Sequence, residues 1–148
     1  MLGSFRKPPP PPPAPTGPRT PRQRAGDAAE AAASAHLVAA GCTIVGRNLR
    51  FREGELDIIA RDGETIVFVE VRLRSSARFG GAGASVDGFK QRRLLRAAQH
   101  WLQQTYGESA GGTARGRARG WPACRFDVIT ADAGGVTDWI RGAFGADE

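Results

Sequence analysis

Three carboxylates and a cation stand out in one apolar stretch. It runs Gly54-Glu-Leu-Asp-Ile-Ile-Ala60, then Arg-Asp-Gly-Glu64, then Thr65-Ile-Val-Phe-Val-Glu-Val-Arg-Leu-Arg74. It reads as two β-strands joined at Asp62-Gly63, a dipeptide suited to the positive φ of a tight hairpin turn. A two-residue turn there sets Asp57 opposite Phe68 and Glu55 opposite Glu70. Side chains alternate along a strand and opposed residues share a face. One face then carries Glu55, Asp57, Ile59, Ile66, Phe68, Glu70 and Arg72, while Leu56, Ile58, Val67, Val69, Val71 and Leu73 form the core face. Asp57 and Glu70 become diagonal neighbours with β-carbons about 7–8 Å apart, a gap that one hard cation can bridge at roughly 2.1 Å from each carboxylate. With no cation, two carboxylates about 5 Å apart repel by about 3 kcal/mol at an effective dielectric of 20. The alternative is a solvated face on which Arg72 and Arg74 neutralise the acids.

The elements around this hairpin are legible as well. Asp27-Ala-Ala-Glu30 resembles a capping box and opens a helix predicted to run to about Ala40, stopped by Gly41. Glu30 lies seven residues before Leu37 and within about 20° of its helix face. It is therefore either a capping group or an inward carboxylate that joins the strand acids. Thr43 to Phe51 reads as a first strand, and Arg52-Glu53-Gly54 turns the chain into the hairpin. A second helix is expected from Asp87 to about Thr105, burying Leu94, Leu95, Ala98, Trp101 and Leu102. Lys90, Arg92, Arg93 and Arg96 crowd its first half, off that stripe. Cations near a helix N-terminus oppose its dipole, so they form either a solvated face or one that meets phosphates. Arg125–Thr130 and Val136–Ile140 read as two closing strands. Phe79-Gly80-Gly81 and a glycine-spaced run with Arg115, Arg117 and Arg119 read as loops.

The chain has 148 residues, 21 basic and 15 acidic, for a net charge of +6. The distribution says more than the total: residues 25–71 sum to −4 and residues 72–125 to +9. A negative site beside a positive surface suits a polyanion held near a cation. Nine of the ten prolines fall in residues 1–24, six of them in a row. That composition predicts a disordered Pro/Arg-rich tail, followed by a single domain over residues 25–145. Neither an export signal nor a membrane span is visible, which predicts a cytoplasmic location. Two cysteines, Cys42 and Cys124, are too few for a disulfide scaffold and read as reduced core thiols.

Gly54-Glu55-Leu56-Asp57 followed by Val67-Phe68-Val69-Glu70-Val71-Arg72 resembles the core of the PD-(D/E)xK nuclease superfamily. Gly26-Asp27 with Glu30, Arg47-Asn48, Lys90 and Arg125-Phe126-Asp127-Val128 narrow the resemblance to the YraN-like family of bacterial proteins. The resemblance spans about residues 25–141. It implies an α/β fold, a restriction-endonuclease-like mixed β-sheet flanked by helices. It further implies that Asp57, Glu70 and the main-chain carbonyl of Val71 hold Mg²⁺ or Mn²⁺, with Glu30 reaching the metal shell through water. The superfamily usually has lysine where this chain has Arg72. Arginine does not deprotonate in a protein, so Arg72 cannot be a general base but can stabilise transition-state charge.

The expected function is a Mg²⁺-dependent nuclease acting on DNA, branched or single-stranded as readily as duplex. Lys90, Arg92, Arg93 and Arg96 would contact its backbone. A non-catalytic nucleic-acid-binding protein on the same fold is the alternative, and an interaction module whose proline tail recruits a partner is a third reading. The sequence leaves the oligomeric state open, a homodimer included.

Overall fold

Local signals in the chain account for each element of the structure, a computed structural model that describes residues 17–74, 87–107 and 120–144. The six-proline run, Phe79-Gly80-Gly81 and Arg115, Arg117 and Arg119 lie outside those residues. Helix α1 spans Pro21–Ala39. Thr20 caps it: its hydroxyl accepts from the Gln23 N–H (3.1 Å), and the Gln23 side chain accepts from the Thr20 N–H (2.9 Å). Proline at the first helical position loses no hydrogen bond. The helix therefore starts six residues before the expected Asp27, and residues 21–24 form its first turn rather than the end of a tail. Asp27, inside the helix, pairs with Arg19 instead (Nε–Oδ2 3.0 Å). Ala29, Ala33 and Leu37 recur at intervals of four and are buried. Two of the three are alanines, which lets the helix lie close on the sheet.

Five strands follow in chain order, β1 Thr43–Arg50, β2 Glu55–Asp62, β3 Thr65–Leu73, β4 Cys124–Asp132 and β5 Gly135–Phe144, with helix α2 (Gly88–Tyr106) between β3 and β4. They form one mixed sheet in the order β1-β2-β3-β4-β5. All neighbours are antiparallel except β3 and β4. A parallel pair requires a long crossover, and α2 supplies it across one face. Asp87 caps α2 by accepting from the Lys90 N–H at 2.8 Å, and Gly107, at φ 84°, ends it. The result is a single α/β domain with a helix on each face. Among the described residues no helix is long and apolar enough to cross a membrane.

Two cores result. Against α1 lie Ile58, Ala60, Val67, Val69 and Ile129. Against α2 lie Leu49, Leu56, Ile59, Ile66 and Phe68, with Leu94, Ala98 and Trp101 from the helix. Phe68, Phe126 and Phe144 stack in a row at 5.1 and 4.8 Å, and Trp101 meets Phe68 edge-on at 5.8 Å. Both sheet faces are thus apolar and covered, so the face carrying the acids is itself a core face away from its end. Of the two cysteines, Cys42 is buried as expected, whereas Cys124, at the first position of β4, is exposed.

The hairpin register differs from the expected one by two residues. Ile59 pairs with Phe68 and Asp62 with Thr65, so the turn residues are Gly63 and Glu64. Gly63 takes the left-handed slot, at φ 62°. Asp62 stays in the ladder, where its carboxylate receives Arg125 at 2.9 Å. A shift of two preserves faces, so Ile59, Ile66, Phe68, Glu70 and Arg72 keep theirs. It moves Glu55 away from Glu70: Glu55 pairs with Arg50 of β1.

Leu56 is the exception to the alternation. It packs on the α2 side with Leu49, while Ile58, two residues on, packs on the α1 side. Its partner strand does the same: Arg47 pairs with Ile58 and Leu49 with Leu56. Both strands change face between these pairs, at Asn48 in β1 and Asp57 in β2. Asn48 has φ 52°, the only positive φ among the described non-glycine residues. Asparagine is one of the few residues that adopt this conformation readily.

Candidate active site

The ladder between β2 and β3 ends at Ile58–Val69. Beyond it β2 continues along β1 alone, and the two strands of the hairpin part at Asp57 and Glu70. The Asp57 side chain fills part of the gap, its Oδ2 accepting from the Val71 N–H at 2.9 Å. A cavity of about 590 Å³ opens there, lined by Glu55, Asp57, Glu70 and Val71 from the strands and by Phe89 and Lys90 from α2.

Asp57, half-buried, and Glu70, buried, face each other as an acid pair. Glu70 is only 6% exposed. Burial pushes the Asp57 carboxyl up to about 9, the charge of Glu70 and a hydrogen bond between the two side chains push it in the same direction, and the Val71 N–H opposes them. Two carboxylates this close repel when both are charged, which favours the protonated form of Asp57. Two further cations bear on it. Lys90 Nζ makes an ion pair with Glu70 Oε2, and an Arg72 guanidinium nitrogen lies 3.8 Å from the same oxygen.

Glu30 approaches from α1. It lies well inside the helix, which excludes a capping role, and its charge is near enough to raise Asp57 further. Its own carboxyl is raised, first by burial, with Arg47 and a hydrogen bond from Asn48 opposing. Glu30 Oε1 and Arg47 Nε are buried with no hydrogen-bond partner. Asn48, the residue whose backbone turns β1 over, thus also touches Glu30.

These groups fit a hard divalent cation. All the donors are oxygens, a cation between Asp57 and Glu70 would relieve the repulsion that raises Asp57, and a buried oxygen of Glu30 stands unsatisfied. Among the described residues no three His, Cys, Asp or Glu side chains converge as a closed metal site. The fit is to an ion held by Asp57 and Glu70 that keeps several waters, as Mg²⁺ does. Val71, expected to contribute its carbonyl, lines the same cavity.

The expected nucleic-acid face splits. Arg92, Arg93 and Arg96 are exposed on α2, with Arg93 Nε also donating to the Glu53 carbonyl at 2.8 Å. Lys90 belongs to the acid pair rather than to that face alone. Phe89 is a site residue that the motifs do not reveal. Its signal is its position: an aromatic residue off the buried stripe, directly before Lys90.

A mixed sheet that parts over a carboxylate pair, crossed by a helix bringing a lysine to it, defines the class of this α/β protein. The model of the uncharacterised protein family UPF0102 matches residues 29–131. The chain is 45% identical to a UPF0102 protein of Dechloromonas aromatica over 78% of its length and 84% of the relative's. It is 48% identical to one of Serratia proteamaculans, over 78% and 89%. With one of Xanthomonas oryzae pv. oryzae the identity is 47%, over 80% and 88%. The chain belongs to the UPF0102 family, the YraN-like group its motifs resemble.

Proposed function

We propose that this protein is a Mg²⁺- or Mn²⁺-dependent nuclease that hydrolyses phosphodiester bonds of DNA. The observation that carries the reading is the Asp57–Glu70 pair at the parted end of β2 and β3, open to a cavity and flanked by Lys90 and Arg72. An ion bound there would polarise the scissile phosphate and lower the pKa of an attacking water. Asp57 and Glu70 would hold that ion, and Glu30 would orient a water beside it. Arg72 and Lys90 offset the charge that develops on the phosphate oxygens, Arg72 as a permanently charged planar group. Arg92, Arg93 and Arg96 hold the DNA backbone, which carries no sequence information.

A specific observation favours a second reading. Lys90 and Arg72 together neutralise Glu70 without any metal, and Arg72 stands where the nuclease superfamily usually has lysine. A protein that binds nucleic acid on this fold without cutting it would look the same. Incubating the purified protein with labelled branched, single-stranded and duplex DNA, with and without Mn²⁺, separates the two. Mn²⁺-dependent cleavage that is lost in Asp57→Ala supports the nuclease. Tight binding with no cleavage in either condition supports the binder.

A further inference from the structure

Phe89 is 65% exposed, more than any other large apolar side chain among the described residues. The two others that are exposed, Val38 and Leu73, are aliphatic. Phe89 contributes nothing to the core of its helix, whose buried residues begin at Leu94. It nevertheless lines the cavity that holds Asp57 and Glu70, and is the residue immediately before Lys90. The ring is also backed. The Arg93 guanidinium, one helical turn on, lies 5.9 Å from its centroid, and Arg93 Nε is tied to the Glu53 carbonyl. A phenyl ring supported by a cation, set in water at the lip of a site for phosphate, fits one kind of occupant. A nucleobase presents a flat π-face whatever its identity, and its own backbone supplies the negative charge that Arg92 and Arg96 attract.

We infer that Phe89 is a stacking platform for an unpaired base. The strand it receives is one whose neighbouring phosphate lies against Asp57 and Glu70. The substrate class that follows is single-stranded DNA or DNA with locally unpaired bases, such as an end, a flap or a junction. In an intact duplex both faces of each base are covered by its neighbours, so the ring would have nothing to stack on. This substrate assignment rests on the nuclease reading for the position of the phosphate, but the stacking itself does not require cleavage.

The test uses the full chain and a single-stranded oligonucleotide carrying 2-aminopurine, whose fluorescence is quenched on stacking, with Ca²⁺ in place of Mn²⁺ so that binding is read without turnover. A duplex of the same sequence is the comparison. The parent and Phe89→Trp are expected to quench the probe. Phe89→Ala is expected to lose the quench and to bind the single strand about 5- to 150-fold more weakly, the range for loss of one base–aromatic stack. Duplex affinity should not change. Equal weakening on single strand and duplex, or an unchanged quench in Phe89→Ala, overturns the platform. A parallel arm with Mn²⁺ reads cleavage. An inactive parent there overturns the nuclease reading and the substrate assignment with it, while the quench pattern still decides the platform.

Discussion

Lys90 of α2 and Glu70 of β3 form an ion pair at the mouth of the candidate active site, joining the crossover helix to the strand it follows. Lys90 is 46% exposed and Glu70 6%. The cation therefore reaches inward from solvent to a carboxylate that has almost none. Removing Lys90 leaves Glu70, among the described residues, with Arg72 as its one cationic partner, at 3.8 Å.

Rates should report on both cations. Arg72→Ala and Lys90→Gln are each expected to lower single-turnover cleavage at saturating DNA by about 10²–10³-fold, the order for loss of one transition-state donor. Affinity should change less. Arg72→Lys keeps the charge and should retain activity. An inactive parent with an active Arg72→Lys would mark the natural protein as a binder, and equal rates in all forms would remove both cations from the mechanism.

Metal should stabilise the fold. An ion that binds only the folded chain raises its stability, by about 2.7 kcal/mol at one hundred times its Kd. Differential scanning calorimetry is expected to show Tm rising with millimolar Mg²⁺ or Mn²⁺, and Asp57→Ala or Glu70→Ala should abolish the rise. An unchanged Tm in the parent would remove the ion from this site.

The metal-free protein should also show the pair in its pH dependence. The folded-state pKa of Asp57 is raised to about 9. Between the ordinary aspartate value, near 4, and that value, the folded state holds a proton that the unfolded chain has released. Its stability contribution is complete below about pH 4 and is lost as pH rises, by up to about 1.4 kcal/mol per unit. The amide introduced by Asp57→Asn does not titrate. The variant's stability relative to the parent, from urea unfolding in EDTA, is therefore expected to grow from pH 5 to pH 8. A gain that shrinks over that range would refute the shared proton.

On the outer face of α2, Arg92→Glu and Arg96→Glu together should weaken DNA binding and flatten its salt dependence by at least about two units of slope, one for each phosphate no longer neutralised. Fluorescence anisotropy across a salt series measures it. An unchanged slope would mean that this face only meets solvent.

Asn48 ties the backbone of β1 to the acids. Asn48→Val puts a β-branched residue at φ 52° and should cost on the order of 1–3 kcal/mol, read by thermal or urea unfolding. Asn48→Gly keeps the backbone conformation but removes the side chain that bonds Glu30. It should spare stability and reduce the metal-induced rise in Tm. Equal stability of the valine and glycine forms would contradict the role given to this backbone.

The hairpin, both helices and the pairing of β4 with β5 are visible in the chain because each has a local signal: strand alternation, an apolar helical stripe, a glycine stop. Asp57 and Glu70 are legible because carboxylates interrupt apolar strands. The turn is misplaced from sequence because Asp62 and Gly63 both suit a turn, and only the distant Arg125 draws Asp62 into the ladder. The first helix starts earlier than expected because proline composition obscures the Thr20 cap. Leu56 falls on the face opposite to the expected one because alternation assumes an unbroken strand, and the break depends on a backbone conformation at Asn48 in another strand. In sequence Lys90 reads as one of the cations on the outer face of α2, solvated or meeting phosphates. Its inward reach follows from the crossover, which starts α2 at the end of β3 where Glu70 lies.

The parallel pairing of β3 with β4 also orders the events of synthesis. The strands β1 to β3 are joined by tight connections and can pair as soon as they emerge from the ribosome. The residues that complete the α2-side core, Phe126, Val128 and Phe144, come last. Until they arrive, β3 is an edge strand with an open row of backbone groups, and α2 has only part of the surface it packs against. The acid pair can thus exist in a nascent chain before its lysine is firmly seated, and pairings this distant in sequence form slowly. A chain stopped before β4 would carry the carboxylates on an aggregation-prone edge and lack the finished candidate site.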